Sequence, residues 1–317
     1  MPLPPDAYLT DDTGRIIADP TRFCTGHTLA AGEPLAGTGA HQARNILIRW
    51  PKGRWEHSLR IAAEMPDDLV AAIDSAVEAG WRVNLIDRKP DPGGCIIVFP
   101  QAIRCDLPLQ AYPALIRAVA EDKDLASFGP RTIPPSCVFV CTHGKHDACC
   151  AKWGFAAYKS LCAAAPAHGD DFDIWEITHL GGCRHAGGAL VLPAGRKYGR
   201  LVPADAVPLL AAEARDLPYL PAFRGTNHMQ APAQVAEITA LSQLPTGTRC
   251  TAVDEHTDTN DRVFTVHTSA GAVVVRCWEE KVQSYGACSD LKTQKPIPSR
   301  SIWRGTLIEH DITVEAS

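Results

Sequence analysis

The chain has 317 residues, 45% of them apolar and 21% charged, with a formal net charge of −5. These values are ordinary for globular proteins and leave room for about two domains whose cores need no disulfide staples. The mild charge gives no ground for a nucleic acid or membrane surface as partner, no run approaches the ~20 apolar residues of a membrane span, and the polar, Pro-rich N-terminus lacks an apolar targeting core, so the expectation is a soluble, cytoplasmic protein.

Residues 1–40 are rich in Gly, Pro and Thr and read as irregular. Asn45 to Trp50 reads as a short buried strand stopped by Pro51. Pro66 to Gly80 reads as an amphipathic helix, with Pro66, Asp67 and Asp68 in its first turn and Gly80 just past its end. Strands are predicted at Arg82–Asp87 and Cys95–Pro100, and a second helix at Leu107–Glu121. This order describes a small α/β domain over residues 1–130. The Pro-rich stretch Gly129 to Pro135 reads as a linker.

Cys137 to Cys141 then reads as a strand, Ala151–Ala164 as a helix and Phe172 to Thr178 as a second strand with clean alternation. Ala189 to Pro193 and Lys197–Val202 read as a hairpin around Ala194 and Gly195, and Pro203–Arg215 as a helix. From about residue 247 the pattern turns to strands, at Thr248–His256, Arg262–Thr268 and Ala272–Glu279, which suggests a β-rich C-terminal extension. No repeat of fixed period is present.

Cysteine is the unusual residue: the chain has 12. In a cytosolic chain of this length, clustered thiols point to metal or redox chemistry rather than to disulfides. Cys137, Cys141, Cys149, Cys150, Cys162 and Cys183 share one segment. A strand carries Cys141 to its C-terminal end, the following loop returns Cys149 and Cys150, and a second strand delivers His179, with Cys183 four residues on across Gly181 and Gly182. Soft and borderline donors from two loops suit an iron–sulfur cluster or zinc. Spacing alone leaves the roles of Cys149 and Cys150 open. Cys137 and Cys162 read as small buried hydrophobes. Asp147 reads as a helix cap, and Trp153, Trp175 and Tyr198 as core. Cys24-Thr-Gly-His27 has ligand-like spacing but no partner pair nearby in sequence and reads as accidental. Cys277 and Cys288 read as unpaired structural thiols.

Three stretches carry a resemblance: Cys141-Thr-His-Gly-Lys-His-Asp-Ala-Cys-Cys-Ala-Lys-Trp-Gly154, Trp175-Glu-Ile-Thr-His-Leu-Gly-Gly-Cys-Arg184, and Leu192-Pro-Ala-Gly-Arg-Lys-Tyr-Gly-Arg200. With them go Gly32-Glu-Pro-Leu-Ala-Gly-Thr38 and Cys288. Together they resemble the sucrase/ferredoxin-like family, which is similar to thioredoxin-like [2Fe–2S] ferredoxins. The resemblance implies a thioredoxin-like ferredoxin domain at residues 131–230, preceded by the α/β domain and followed by the extension, 231–317. It implies a [2Fe–2S] cluster held by Cys141, Cys150, His179 and Cys183. Where many relatives carry His or Asp this chain has Cys183, and His185 stands where a Phe is usual. Three-Cys, one-His ligation is therefore expected, with Cys149 and His185 as lesser candidates.

Replacing one thiolate by neutral imidazole raises a cluster's potential, and imidazole titrates near neutral pH, so reduction is expected to couple to protonation of His179. The expected function is electron transfer, as a carrier rather than an enzyme with its own substrate. Lys145, Arg184, Arg196, Lys197 and Arg200 are read as a docking rim for an acidic redox partner such as a flavoprotein reductase. The alternatives are a thiol–disulfide oxidoreductase using Cys149 and Cys150, and a zinc-stabilised interaction protein. The name sucrase implies no activity here, since no carboxylate pair suited to glycoside hydrolysis stands out.

Overall fold

The computed structural model describes residues 22–90, 93–257, 262–293 and 296–311, together with 9–10 and 16–17. A small ribbon pairs β1 (Leu9–Thr10) with β2 (Ile16–Ile17) and is followed by α1 (Cys24–Ala30). The first α/β segment then supplies β3 (Asn45–Arg49), α2 (Asp67–Glu78), β4 (Arg82–Asp87), β5 (Cys95–Phe99), β6 (Ile103–Asp106) and α3 (Tyr112–Ala120). Helix α2 begins and ends where its signals predict. Asp67 and Asp68 occupy the first turn, and Gly80 follows the end with φ +84°.

The second segment supplies β7 (Arg131–Thr132), β8 (Ser136–Cys141), α4 (Phe155–Ala164), β9 (Phe172–Ile177), β10 (Ala189–Leu192), β11 (Arg196–Tyr198), α5 (Ala206–Glu213) and β12 (Phe223–Thr226). Ten strands form one sheet in the order β12-β11-β10-β8-β9-β4-β3-β5-β6-β7. The pairs β3/β4 and β8/β9 are parallel. Strands β4 and β9 join antiparallel at Ile86–Ile177 and Asp87–Glu176, so strands from both segments lie in one sheet. The α/β class read from the sequence is the class observed.

Side-chain alternation sets the two faces of this sheet. Ile46, Ile48, Val83, Leu85, Ile96 and Val98 pack with α2 and α3, while Val138, Val140, Ile174 and Val191 pack with α4 and α5. The opposite face carries Leu47, Ile86, Ile97, Cys137, Phe139, Cys141, Trp175 and Ile177, and its core also contains Cys24, Cys149, Cys150, Cys183 and Cys288. The cysteines therefore gather on the face that α2–α5 leave open. Trp153, Trp175 and Tyr198 are buried as expected.

The last segment opens with α6 (Ala231–Gln243) and continues through β13 (Cys250–Thr257), β14 (Arg262–Thr268), β15 (Gly271–Gln283), α7 (Cys288–Lys292) and β16 (Ser299–Asp311). The four strands pair in sequence order as an antiparallel sheet. Helix α6 departs from the purely β-rich reading: Val235, Ala236 and Ala240 pack on Phe264, Val266, Val273 and Val275.

Two buried polar residues of α6, Gln234 and Glu237, reach toward β12. The Gln234 amide donates to the Thr226 carbonyl at 2.9 Å, and the Thr226 hydroxyl donates to Glu237 at 2.9 Å. Burial pushes the Glu237 carboxyl up to about 7. A carboxyl whose folded pKa is raised loses stability as pH climbs from its unfolded value toward the folded one. Glu237→Gln keeps an oxygen to accept from the Thr226 hydroxyl, gives up the 3.4 Å bond that the Thr226 N–H makes to the second oxygen, and removes the charge. It is expected to stabilise the protein at pH 8 by an amount on the order of 3 kcal/mol and to change little at pH 4.5. Denaturant midpoints at the two pH values check this, and equal shifts at both would refute it.

Candidate metal centre

Strands β8 and β9 run side by side in the same direction, so their C-terminal ends lie together. Cys141 is the last residue of β8, and its N–H donates to the Gly188 carbonyl at 2.9 Å. The chain turns at Thr142, whose hydroxyl donates to Glu176 at 2.6 Å; Lys52 pairs with the same carboxylate. It returns through Asp147, which caps the next turn as expected, accepting the Cys149 N–H at 2.8 Å. A π-helical turn, Cys150–Gly154, leads into α4. Such wide turns recur at functional sites, and here Gly154 is required, since a Cβ would run into the Cys141 carbonyl.

Beyond β9 the backbone N–H of His179 donates to His143 Nδ1 at 3.3 Å, which leaves His143 Nε2–H to donate to the Glu56 carbonyl at 2.6 Å. Burial lowers the His143 pKa to about 4, in keeping with a neutral ring fixed in one tautomer. Gly181 and Gly182, with φ +87° and +80°, then curl the chain so that Cys183 comes back to His179. Cys183 Sγ lies 3.1 Å from His179 Nδ1.

Cys150 makes sulfur contacts with both Cys141 and Cys183. Hydrogen bonding with Cys150 lowers the Cys141 and Cys183 pKa values, the latter to about 3, while the Cys150 thiol is itself pushed well above its ordinary value. Cys141, Cys150, His179 and Cys183 thus form a continuous chain of contacts. The three thiols are buried and His179 is half-buried.

One more histidine joins them. The His146 ring lies tilted against that of His179 with centroids 4.1 Å apart, and His146, His179 and Cys183 bring their donor atoms within 4.8 Å of one another. His146 Nδ1 hydrogen-bonds to the His57 carbonyl at 3.2 Å, and the hydrogen bond to Cys183 raises its pKa. The sequence reading passed over His146, although it lies inside the quoted motif.

Both lesser candidates lie elsewhere. Cys149 points away from Cys150, with its sulfur 3.5 Å from Cys24 and 3.2 Å from Cys288. Cys24 and Cys288 are therefore not the isolated thiols their sequence neighbourhoods suggest, and Cys277 packs separately against the Pro232 carbonyl. His185 is fully buried with Nε2 3.5 Å from Glu33 Oε1, and does not join the group at Cys183.

Cations surround the His179–Cys183 loop, and three of them hold its successive carbonyls. Arg82 donates to His179 O at 2.7 Å, Lys197 to Leu180 O at 2.8 Å and Arg224 to Gly181 O at 3.3 Å. Lys197 and Arg224 are 2% and 3% exposed. Burial lowers the pKa of all three, while the negative charge of Cys141 favours Arg82 and Lys197 as cations and that of Cys183 favours Arg224.

This corrects the expected docking rim. Lys197 is interior, and Arg196 is tied to Glu213 at 2.8 Å and Asp216 at 2.5 Å. Arg184 pairs with Glu33 at 2.7 Å, and Arg200 donates to the Glu33 carbonyl at 2.8 Å. Of the five, Lys145 is exposed. Four of the five therefore work within the fold rather than as a shared outer face.

The donor set is soft, buried and backed by cations, which fits an anionic metal–thiolate group. Among the described residues no helix is long and apolar enough to cross a membrane. Among curated proteins, none matches the chain. Two solved structures of a thioredoxin-like [2Fe–2S] ferredoxin from Aquifex aeolicus are similar to a part of it. One is 15% identical, covers 28% of this chain and 90% of that chain, and has a TM-score of 0.27. The other, the wild type, is 17% identical, covers 28% and 96%, and scores 0.26. Overlaps this short and weak do not define the fold. A family model described as sucrase/ferredoxin-like matches residues 35–225, more than half of the chain and the segment that holds Cys141, Cys150, His179 and Cys183; the chain belongs to the sucrase/ferredoxin-like family.

Proposed function

We propose that this protein is an electron carrier whose [2Fe–2S] cluster is held by Cys141, Cys150, His179 and Cys183. One observation carries the reading. Three buried thiols and one imidazole converge from the ends of two parallel strands, against buried cations: negative charge on Cys141 favours Lys197 as a cation, and negative charge on Glu33 and Cys183 favours Arg224. Cys141 with Cys150, and His179 with Cys183, supply two contacting pairs, as a two-iron centre needs. When bound, such a group stores and releases one electron.

The protein's own part is to hold and insulate. Gly154 lets the π-helical turn bring Cys150 against Cys141. His143 fixes the His179 backbone, and Arg82, Lys197 and Arg224 hold the loop carbonyls while offsetting thiolate charge. The His146 ring lies against that of His179, and the exposed His57 stacks on His146 with centroids 4.7 Å apart, so the rings run from the ligand set to the surface. An acidic redox partner such as a flavoprotein reductase would dock on that side, near Lys145.

Vicinal disulfide chemistry gains no support from the geometry, because Cys149 and Cys150 face different groups. The test is iron, acid-labile sulfide and visible absorption in anaerobically purified protein. About two irons and two sulfides per chain are expected, as the cluster formula requires. Cys141→Ser, His179→Ala and Cys183→Ser should each lose most of the colour. A colourless wild type, or full iron in all three variants, would reject the assignment.

A further inference from the structure

Next to the ligand loop lies a second convergence of donors that the proposed cluster does not use; its carboxylate, Asp147, also has an oxygen within 4.8 Å of the Cys150 and Cys183 sulfurs. Cys24 opens α1, Cys149 precedes the π-helical turn, and Cys288 opens α7. Their sulfurs form a triangle with sides of 3.5 Å (Cys24 to Cys149), 3.2 Å (Cys149 to Cys288) and 3.7 Å (Cys288 to Cys24). Asp147 completes the group, with Oδ2 4.0 Å from Cys24 Sγ. All four residues are at most 4% exposed.

We propose that Cys24, Cys149, Cys288 and Asp147 form a mononuclear zinc site. Its four donors lie within 4.8 Å of one another, a span that encloses one ion. Tetrahedral zinc with Zn–S bonds of about 2.3 Å separates its sulfurs by about 3.8 Å, close to the triangle observed. A disulfide would need about 2.05 Å, and three thiols cannot all pair. On binding, each thiol gives its proton to solvent as a Zn–S bond forms.

The carboxylate is already aimed. Asp147 Oδ1 accepts the Cys149 N–H and Oδ2 accepts the Cys288 N–H, both at 2.8 Å. Supporting hydrogen bonds of this kind orient metal ligands. The site also has structural work to do. Helices α1 and α7 have seven and five residues, too short to hold themselves. One ion would fasten both to the turn that carries Cys150. It would also divide the vicinal pair, giving Cys149 to zinc and Cys150 to the cluster.

The test measures zinc, iron and sulfide on the same full-length sample, with zinc K-edge absorption. One zinc per chain is expected, surrounded by three sulfurs near 2.3 Å and one oxygen at about 2.0–2.2 Å. Cys24→Ser combined with Cys288→Ser should remove the zinc and leave iron and sulfide in place. A wild type without zinc, a zinc with no sulfur neighbours, a disulfide among the three cysteines, or zinc unaffected by the double variant would overturn the proposal. If the double variant does not fold, the wild-type spectrum decides. A wild type that holds one zinc on three sulfurs but no iron would count against the cluster alone.

Discussion

Cys150→Ser is expected to give protein without iron–sulfur colour, whereas Cys149→Ser keeps the colour and loses zinc. Adjacent residues on a helical turn project about 100° apart. Here that angle separates two environments. Cys150 lies against Cys141 and Cys183, while Cys149 lies against Cys24 and Cys288. Serine is nearly isosteric with cysteine, so folding should suffer little from size, and the effect reports on the metals. Losing one of four ligands typically removes the centre, so iron in Cys150→Ser should fall at least tenfold, the least that losing even a hydrogen-bond partner of a ligand typically costs. The paired measurement is iron and zinc content of both variants from one preparation scheme. Equal iron loss in the two would mean that the vicinal thiols act together, and the division argued above would fail.

The division of that pair could not be read from the sequence, and the reason is physical. Strand alternation around Cys141 and Ile177, and the Gly181-Gly182 turn before Cys183, are local signals, so the two loops were legible with Cys141, His179 and Cys183 as candidates, while the choice of Cys150 over Cys149 rested on the family resemblance. The partners of Cys149 are 125 and 139 residues away. No period or spacing encodes a meeting across that distance; it follows from which sheet face α1 and α7 cover. Cys24 and Cys288 looked solitary for that reason. His146 was within reach of local reading, but only the ring contact with His179 singles it out from its neighbours. Helix α6 was hidden differently: Gln234 and Glu237 interrupt its apolar stripe because they satisfy β12 rather than solvent.

Lys197 shows how charge misleads when read without burial. A lysine beside two arginines in a hairpin suggests an outer face, yet its ammonium is interior and donates to Leu180 O at 2.8 Å and Ala40 O at 3.1 Å. Burying an ammonium costs several kcal/mol unless negative charge answers it, and the groups facing Lys197 include Arg82 and Arg224 as well as Cys141. The arrangement makes sense if the thiolates carry a group that becomes more negative when it gains an electron. A nearby cation then favours the reduced form.

Lys197→Met keeps the length and removes the charge, so the midpoint potential is expected to fall. A unit charge several ångströms away, at an effective dielectric of about 20, is worth about 2 kcal/mol, or about 85 mV for one electron. The two carbonyls left without a donor should also loosen the His179–Cys183 loop and speed iron loss to a chelator. Lys197→Arg retains the charge and separates the two effects, since its potential should stay near wild type even if crowding weakens the loop. Spectroelectrochemical titration of the three proteins decides the matter. A potential that rises or stays put in Lys197→Met would mean that the buried cations serve only to fix carbonyls, and that their charge does not bear on the group that takes up the electron.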